Sequence, residues 1–266
     1  MTSRGAGVQL FHFASSCARH TACVSGRAGG VSVAPFDTLN LSFGVGDDPA
    51  AVVENRTRLC AAIGEPLEAL TVADQVHGAR VAVIDRSHRG RGARNPADAV
   101  DRADALVTAT PGIVLAVLLA DCVPVALVDP VRDVVAVAHA GWRGTVAHVT
   151  ARTVATMVER FGCDPADILA GIGPSIGPVN YEVGPEVVAA VRDAFPDTPD
   201  LVRRHDRRAT FDLWAANADD LRRCGLPEQN IEVAGIDTRT ASDRYYSHRA
   251  AHPTGRFMAA VALRNR

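Results

Sequence analysis

The strongest constraint on the fold is a pair of apolar segments joined by a short polar turn. Residues 123–128 and 134–138 consist of valine, alanine, leucine and one proline, and residues 129–133 (DPVRD) separate them. A third apolar segment, residues 113–119, precedes them. Segments of this length and composition are typical of strands that are buried on both faces of a sheet. We therefore expect a hairpin at the centre of a β-sheet core.

Strands and helices are mixed irregularly along the rest of the chain. Further strands are predicted at residues 7–13, 30–34, 70–72, 79–84, 169–172, 231–234 and 256–263. Helices are predicted at residues 49–63, 146–161, 186–195 and 213–224. Asp47 or Asp48 is a candidate N-cap for the first helix, and Thr145 for the second. The pattern predicts an α/β fold with one domain over residues 1–266, in which helices cover a mixed sheet.

Charge and composition exclude several classes of function. The formal net charge of −2 offers no basic surface for nucleic acid. The longest apolar run, residues 113–120, is too short to span a bilayer, and the N-terminus lacks the apolar core of a secretory signal. We therefore expect a cytoplasmic protein with no membrane partner. All 28 basic residues are arginine, which excludes a Schiff-base lysine and a P-loop lysine.

Cys122 and His139 flank the predicted hairpin. If the chain folds about Val131, residue i lies opposite roughly residue 262 − i, which places Cys122 within one residue of His139. A thiolate and an imidazole at that separation can bind zinc, and His77, followed by a glycine that permits a tight turn, is the best third ligand. Three protein ligands leave a fourth position open, as in catalytic sites. From spacing alone, a buried core histidine, a buried cysteine and a turn histidine remain the alternative.

Glycine-rich segments follow two of the predicted strands. Residues 141–145 lead into the helix predicted at 146–161, whose N-terminal N–H groups favour an anion. Arg143 lies in this segment and can grip phosphate with two hydrogen bonds. A second segment, residues 171–177 (GIGPSIG), either approaches a ligand or forms only a tight turn. The arginine-rich residues 86–101 predict an exposed loop.

Three motifs occur in the order QVHG (residues 75–78), ADCVPV (120–125) and HAGWRGT (139–145). In this order they resemble the zinc-dependent purine nucleoside phosphorylase family, formerly described as multicopper polyphenol oxidases or laccase-like proteins. Shorter matches, including GIGPSIG and the tripeptide SHR at 247–249, extend the resemblance nearly end to end. The sequence departs from the family at Ser175, where members often have cysteine. A second frequent cysteine is absent from residues 236–240.

The resemblance implies a catalytic zinc ion held by His77, Cys122 and His139. It also implies phosphorolysis of adenosine, inosine, guanosine and methylthioadenosine to the free base and the sugar 1-phosphate, together with hydrolytic deamination of adenosine. The implied fold is a single-domain mixed β-sheet sandwich with flanking helices, with no Rossmann motif. No organic cofactor is implied.

The same resemblance suggests substrate contacts outside the metal site. Asn40, Arg56 and Arg249 are candidate substrate-binding residues by resemblance, in addition to Arg143. The expected partners are purine nucleosides and phosphate. We expect the chain to be a monomer or a small homo-oligomer.

Three other functions compete with the phosphorylase. A cysteine hydrolase would use Cys122 as the nucleophile and His139 as the base. A copper-dependent phenol oxidase is disfavoured because the chain has nine histidines and no His-x-His pair, the pattern of a multicopper centre. Copper bound at the His77, Cys122 and His139 ligands would nevertheless suit the chemistry of these donors. A non-catalytic module stabilised by zinc is the third possibility.

Overall fold

Two six-stranded β-sheets lie face to face in the computed structural model, which describes residues 2–5, 7–206 and 208–264. The strands are β1 (Thr2–Gly5), β2 (Val8–His12), β3 (His20–Ser25), β4 (Leu70–Val72), β5 (Val81–Val83), β6 (Ala105–Thr108), β7 (Val114–Leu119), β8 (Val123–Asp129), β9 (Val134–Ala140), β10 (Leu169–Ile172), β11 (Glu182–Val183), β12 (Val202–His205), β13 (Arg208–Phe211), β14 (Ile231–Val233) and β15 (Phe257–Leu263). The first sheet has the order β1-β2-β3-β15-β7-β4, and the second has the order β14-β10-β8-β9-β6-β5. Strands β11, β13 and β12 form a small third sheet.

Helices cover the outer faces of both large sheets. They are α1 (Pro49–Ile63), α2 (Trp142–Val146), α3 (Val149–Phe161), α4 (Pro185–Ala194) and α5 (Leu213–Arg223). Helix α1 packs on the first sheet, α3 and α5 pack on the second, and α4 packs against α2 and against β13 of the third. Both sheets are mixed, because the pairs β4–β7, β5–β6 and β10–β14 are parallel and the others are antiparallel. The expected α/β sandwich with flanking helices is confirmed.

Strands β8 and β9 are buried along their whole length. Val125 and Leu127 face the core beneath the helices, whereas Ala126 and Val128 face the core between the two sheets. Burial of both faces explains why the sequence of this hairpin is apolar at nearly every position rather than at alternate ones.

The register of this hairpin differs by one residue from the prediction. Pro124 pairs with His139, so the position opposite Cys122 is Gly141 and not residue 140. Because side chains alternate between faces, Cys122 and His139 lie on the same face of the sheet in this register. In the predicted register they would have pointed to opposite faces. Cys122 and His139 do lie close together, as predicted, but because of the observed register and not because of the predicted one.

The helix predicted at residues 146–161 begins three residues later, as α3, and the glycine-rich segment before it forms the separate helix α2. His148 lies between them in the left-handed conformation, with φ of +57°, and precedes the first residue of α3. Thr145 is not an N-cap. It is buried inside α2, where its Oγ1 accepts a hydrogen bond from Asn217 Nδ2 at 3.2 Å. This bond ties α2 to α5.

Local polar contacts explain why one further predicted element is present in the structure and another is not. The helix predicted at 49–63 is confirmed, and the Asp48 side chain accepts a hydrogen bond from Ala50 N–H at 3.0 Å. Residues 30–34 do not form a strand, because the Val31 N–H is bound by Asn55 Oδ1 at 2.8 Å instead of by a neighbouring strand. In the described part of the chain, no helix is both long enough and apolar enough to cross a membrane.

Candidate metal centre and its cavity

The three predicted metal ligands converge at the ends of strands from both sheets. His77 lies in the loop between β4 and β5, Cys122 in the turn between β7 and β8, and His139 near the end of β9. One ligand atom from each of the three residues lies within 4.8 Å of the other two. The His77 and His139 rings meet edge to face, with centroids 4.8 Å apart. His139 is buried, Cys122 is partly buried and His77 is exposed, so the group opens to solvent on the His77 side.

Asp104 fixes the orientation of His139. It directly precedes β6, and because Ala105 pairs with Ala138, its carboxylate lies beside the His139 ring. Asp104 Oδ1 is 2.9 Å from His139 Nδ1, and Asp104 is fully buried. A carboxylate accepts and cannot donate, so Nδ1 has the ring proton and the lone pair of Nε2 is free for a metal.

Asp104 also holds the loop that contains His77. Its two oxygens accept hydrogen bonds from three successive N–H groups: Val76 at 3.2 Å, His77 at 2.9 Å and Gly78 at 2.7 Å. His77 has a φ of +58°, a conformation that non-glycine residues seldom adopt without such support. Burial raises the pKa of Asp104, but the hydrogen bonds with His139 and with the Gly78 and Val76 N–H groups outweigh this effect and hold the pKa below its ordinary value.

Gln75 connects the same loop to the first sheet. Its Nε2 donates to Leu118 O at 3.0 Å, and its Oε1 accepts from Leu118 N–H at 2.7 Å. The amide thus binds both backbone groups of one residue on β7, as a neighbouring strand would. The QVHG motif is therefore attached through Gln75 to one sheet and through Asp104 to the other.

Gly141 is in close contact with two of the ligands. A Cβ atom at this position would lie 2.9 Å from Cys122 Sγ and 3.2 Å from His77 Cδ2. Both distances are shorter than ordinary van der Waals contacts, so only glycine fits without a shift of these side chains. The first glycine of HAGWRGT therefore makes room for the ligand group.

Without a metal, Cys122 and His139 form an ion pair. Burial raises the pKa of the Cys122 thiol, but the neighbouring His139 and His77 imidazoles outweigh this effect and lower it to about 6. Burial lowers the pKa of His139, but Cys122 and Asp104 outweigh this effect and raise it to about 9. A thiolate beside an imidazolium is favoured at neutral pH, and a metal cation can take the place of the proton.

The donor set fits a divalent metal of intermediate softness. Two imidazole nitrogens and one thiolate sulfur are ligands that zinc accepts, and three protein ligands with an open side are typical of catalytic zinc sites. The buried carboxylate behind His139 is the usual partner of a histidine that binds zinc. The same donors also suit copper. Among the described residues, these three form the one cluster of three or more histidine, cysteine or carboxylate side chains that could hold a metal ion.

A cavity of about 600 Å³ opens in front of the three ligands. Its wall includes the aromatic ring of Tyr181 and the aliphatic side chains of Ile176 and Leu213. Burial and the nearby Cys122 raise the pKa of the Tyr181 hydroxyl to about 12, so it is neutral at physiological pH. The volume is that of a small-molecule site.

Three arginines also line the cavity: Arg56, Arg249 and Arg256. Arg56 is 2% exposed, stacks on the Phe43 ring at 4.4 Å and donates to the Leu41, Gly92 and Ala93 carbonyl oxygens. Burial lowers its pKa to about 10, which leaves it charged at neutral pH. Within the described ranges, none of the three arginines forms an ion pair with a carboxylate.

Asp121 positions the segment that contains Arg249. Its Oδ2 accepts a hydrogen bond from Arg249 N–H at 2.7 Å, and its Oδ1 accepts one from Thr238 Oγ1 at 2.8 Å. Arg249 also lies over the Tyr181 ring, with its guanidinium carbon 5.1 Å from the ring centre. Asp121 therefore holds the cavity wall together beside Cys122.

Two of the predicted substrate contacts lie outside the described lining of this cavity. Asn40 is fully buried, and its amide binds Ser42, Asp47 and the Arg256 N–H. It thus supports the loop behind the cavity. Arg143 is exposed and stacks on its neighbour Trp142 at 4.3 Å. The expectation that Arg143 lies at the start of a long helix is wrong, because it is in the five-residue helix α2.

Comparison with known proteins decides the family. Residues 21–264 match the family described as multi-copper polyphenol oxidoreductase laccase. The chain belongs to this family. The family resemblance carried by QVHG, ADCVPV and HAGWRGT is thereby confirmed.

The curated relatives are named purine nucleoside phosphorylases, whereas the family description refers to laccases. Purine nucleoside phosphorylase YlmD of Bacillus subtilis is 38% identical over 90% of this chain and 86% of that protein. A purine nucleoside phosphorylase of Mycobacterium bovis is 42% identical over 88% of each chain. The crystal structure of YlmD from Geobacillus stearothermophilus is similar with a TM-score of 0.93 at 35% identity, covering 99% of this chain and 98% of that one. That of protein YfiH from Bacillus licheniformis has a TM-score of 0.92 at 32% identity, covering 97% of each chain.

The family motifs led to the ligands but not to every residue of the site. Asp104 was missed because it precedes β6 (ALVT), which is too short for its periodicity to be recognised. Arg256 and Tyr181 lie far from the three motifs in the sequence, and no spacing argument relates them to the cavity. Only the sheet register and the loop contacts bring these three residues to the metal centre.

Proposed function

We propose that this protein is a zinc-dependent purine nucleoside phosphorylase. It converts adenosine, inosine, guanosine and methylthioadenosine to the base and the sugar 1-phosphate, and it also deaminates adenosine. The observation that supports this most strongly is the combination, in one cavity of nucleoside size, of a His-Cys-His group with three arginines that form no ion pair with any described carboxylate. The names of the curated relatives support the same reaction class.

The metal in this proposal is held by His77, Cys122 and His139. A bound zinc ion would supply a fixed positive charge and Lewis acidity beside the purine. Asp104 keeps His139 in the tautomer that can bind the metal, and Gly141 leaves room for the sulfur and the His77 ring. These residues determine where the ion lies, and the cavity determines what lies next to it.

The arginines form the phosphate-binding part of the cavity. A buried guanidinium without a carboxylate is costly, and a bound anion compensates its charge. Arg56 meets this description, since three carbonyl oxygens and a phenyl ring are its described partners. Arg256 is partly buried, and desolvation lowers its pKa below the ordinary value. Guanidinium groups bind phosphate oxygens in pairs, which both orients and retains the anion.

The purine binds against the apolar and aromatic side chains of the same cavity wall. Ile176 and Leu213 offer aliphatic surface, and Tyr181 offers an aromatic face that stays neutral. In phosphorolysis, a phosphate oxygen forms a bond to C1′ of the ribose while the bond from C1′ to the base nitrogen breaks. The electron pair of that bond leaves with the base, which takes up a proton. The arginines position the attacking phosphate, and the apolar wall keeps water away from C1′.

The deaminase activity uses the same base-binding surface. Water replaces the amino group at C6 of adenine, and ammonia leaves. Phosphate takes no part in this reaction, so the two activities separate by their dependence on phosphate. A cytoplasmic location and a monomeric or small homo-oligomeric state remain predictions of the sequence.

The direct test is to incubate metal-analysed protein with adenosine, with and without phosphate, and to separate the products by chromatography. Phosphorylase activity predicts adenine and ribose 1-phosphate only when phosphate is present. Deaminase activity predicts inosine in both samples. Absence of adenine at every phosphate concentration, from protein loaded with zinc, would rule out the phosphorylase.

A cysteine hydrolase is the second candidate, and one observation favours it. Cys122, His139 and Asp104 form a chain of contacts in which a carboxylate orients a histidine next to a thiol, as in cysteine hydrolases. Chelation distinguishes the two functions. A zinc enzyme loses activity when the metal is removed. A cysteine hydrolase keeps its activity after chelation, because the Cys122 thiol is then available as the nucleophile, and loses it only when that thiol is alkylated. Metal analysis of the same sample also separates zinc from copper.

A further inference from the structure

A second group of thiol, imidazole and carboxylate lies in the turn between β2 and β3. Cys17 N–H donates to His20 O at 2.8 Å, which closes the turn and brings the two side chains to the same side. Cys17 Sγ is 3.3 Å from His20 Nδ1. The group lies at the far end of the β8–β9 hairpin from Cys122, about 20 Å away along a seven-residue strand. It is therefore separate from the candidate metal centre.

His20 and Arg19 both contact one carboxylate. His20 is 3% exposed, and its Nε2 lies 3.3 Å from Asp133 Oδ1, in the turn between β8 and β9. Arg19 Nε donates to the same Asp133 oxygen at 2.6 Å, and its terminal nitrogen binds the other oxygen. The hydrogen bond to Asp133 raises the pKa of Arg19, burial partly opposes this, and negative charge on Asp133 and Cys17 adds to it. Arg19 therefore forms a two-point ion pair with Asp133 beside His20.

The surroundings of the other cysteines do not favour reaction. Burial raises the pKa of Cys23, Cys60 and Cys163 to about 12, and that of the partly buried Cys224 to about 11. Cys122 belongs to the metal ligand group. Cys17 is the exposed cysteine, and a histidine contacts its sulfur.

We propose that Cys17 is a site of reversible modification by low-molecular-weight disulfides, with His20 as the base and Asp133 as the carboxylate beside the second ring nitrogen of His20. His20 Nδ1 takes the thiol proton while the sulfur attacks one sulfur of the disulfide. A new bond forms between Cys17 Sγ and that sulfur, the original sulfur–sulfur bond breaks, and the second half leaves as a thiolate. The disulfide is the oxidant.

The geometry accounts for each part of this reaction. The thiolate is the reactive form of cysteine, and His20 Nδ1 lies within hydrogen-bond distance of the Cys17 sulfur, where it can accept the thiol proton. The hydrogen bond from Cys17 N–H to His20 O holds the two residues together, with His20 Nδ1 towards the Cys17 sulfur. The turn leaves Cys17 accessible, so that a small disulfide reaches the sulfur without unfolding of the chain.

The first experiment compares the rate at which Cys17 is modified in the folded protein with its rate in the unfolded chain. Zinc-loaded protein is treated with glutathione disulfide, folded and in urea, and peptide mass spectrometry follows the modification of each cysteine. We expect Cys17 to react first in the folded protein, about tenfold faster than the same thiol in the unfolded chain. A thiol that is merely exposed reacts no faster when folded. Equal or slower reaction of Cys17 in the folded protein overturns the proposal.

Variants then test the role of the base. His20→Gln is expected to lower the rate at Cys17 about tenfold, and Asp133→Asn to lower it less. The matched control is His88→Gln, because His88 also contacts an aspartate, Asp85 at 2.8 Å, but lies next to no cysteine in the described structure. An unchanged rate in folded His20→Gln, judged by circular dichroism, contradicts the assignment of the base. If that variant does not fold, the comparison of folded and unfolded wild type decides.

Discussion

Asp104 Oδ1 lies 2.9 Å from His139 Nδ1, and the same oxygen accepts the backbone N–H of His77 at 2.9 Å. One buried oxygen atom thus connects the two histidines that are proposed to bind the metal. It sets the tautomer of one and the backbone position of the other. The candidate site consequently depends on a residue that lies behind the ligands and does not contact the cavity.

Replacement of this carboxylate tests its role. Asp104→Asn places an amide N–H group against the N–H groups of Val76 and Gly78, so the His77 loop loses acceptors. We expect zinc affinity to fall by about 10- to 100-fold, measured by competition with a chelator. The control is Asp98→Asn, since Asp98 also accepts a loop N–H, that of Gly92 at 2.9 Å, without contacting a ligand. Equal zinc affinity in a folded Asp104→Asn variant would show that the carboxylate does not position the histidines.

A methyl group at Gly141 tests the packing of the ligand group. In Gly141→Ala the new Cβ lies 2.9 Å from Cys122 Sγ, so the sulfur or the His77 ring has to move. We expect loss of zinc with a modest loss of stability, on the order of 1–3 kcal/mol. Gly44→Ala is the control, because its Cβ would meet Ser42 Oγ at 3.7 Å, an ordinary contact. Metal content and Tm are measured together, and full zinc occupancy in Gly141→Ala would contradict the close contact.

The cavity arginines predict how phosphate is bound. Arg249→Gln and Arg256→Gln remove one guanidinium each, and we expect the KM for phosphate to rise about tenfold, since a charge-assisted hydrogen bond contributes roughly 1.5–3 kcal/mol. The KM for the nucleoside changes less. Arg143→Gln is the comparison, because that residue is exposed and lies outside the described cavity lining. A larger effect from Arg143 would place phosphate at α2, as the sequence alone suggested.

Asp220 predicts a dependence of stability on pH. This α5 residue is 2% exposed, its Oδ1 lies 2.8 Å from His148 Nδ1, and its Oδ2 has no hydrogen-bond partner in the described structure. Burial raises its pKa, and His148 offsets only part of this effect. Because the folded state holds the proton more tightly, stability falls as pH rises from the unfolded pKa, about 3.9, through the folded pKa.

Asp220→Asn removes this titration and keeps an oxygen for His148. We expect the Tm of the variant to rise relative to wild type as the pH increases from about 4 to about 7. Thermal unfolding of both proteins across that range measures the difference. A difference that is independent of pH would mean that Asp220 titrates normally in the folded protein.

The central hairpin and the metal ligands could be predicted because each has a strong local signal. Strands β8 and β9 are apolar at nearly every position, and helix α1 begins with Asp48 before a proline and ends before Gly64. The three ligands lie in motifs whose order is specific. The predicted register of β8 and β9 differs from the observed one by a single residue, because the chain can fold about any of the five residues 129–133 of the turn.

The rest of the site depends on long-range pairing. Asp104 becomes part of the site only because β6 pairs with a strand far away in the sequence, β9, as in the pair Ala105 and Ala138, which are 33 positions apart. The division between α2 and α3 comes from His148, whose left-handed conformation has no marker in the sequence. Arg256 reaches the cavity through β15, which is in the middle of the first sheet. No local pattern contains this information.

The measurement that tests the central claim most directly is zinc content together with adenine formation in wild type, His77→Ala, Cys122→Ala and His139→Ala. The samples are purified identically, and their folding is compared by circular dichroism. The account predicts about one zinc ion per wild-type chain, and loss of both zinc and phosphate-dependent adenine formation in each variant. A folded variant that has lost its zinc and retains full turnover would contradict it.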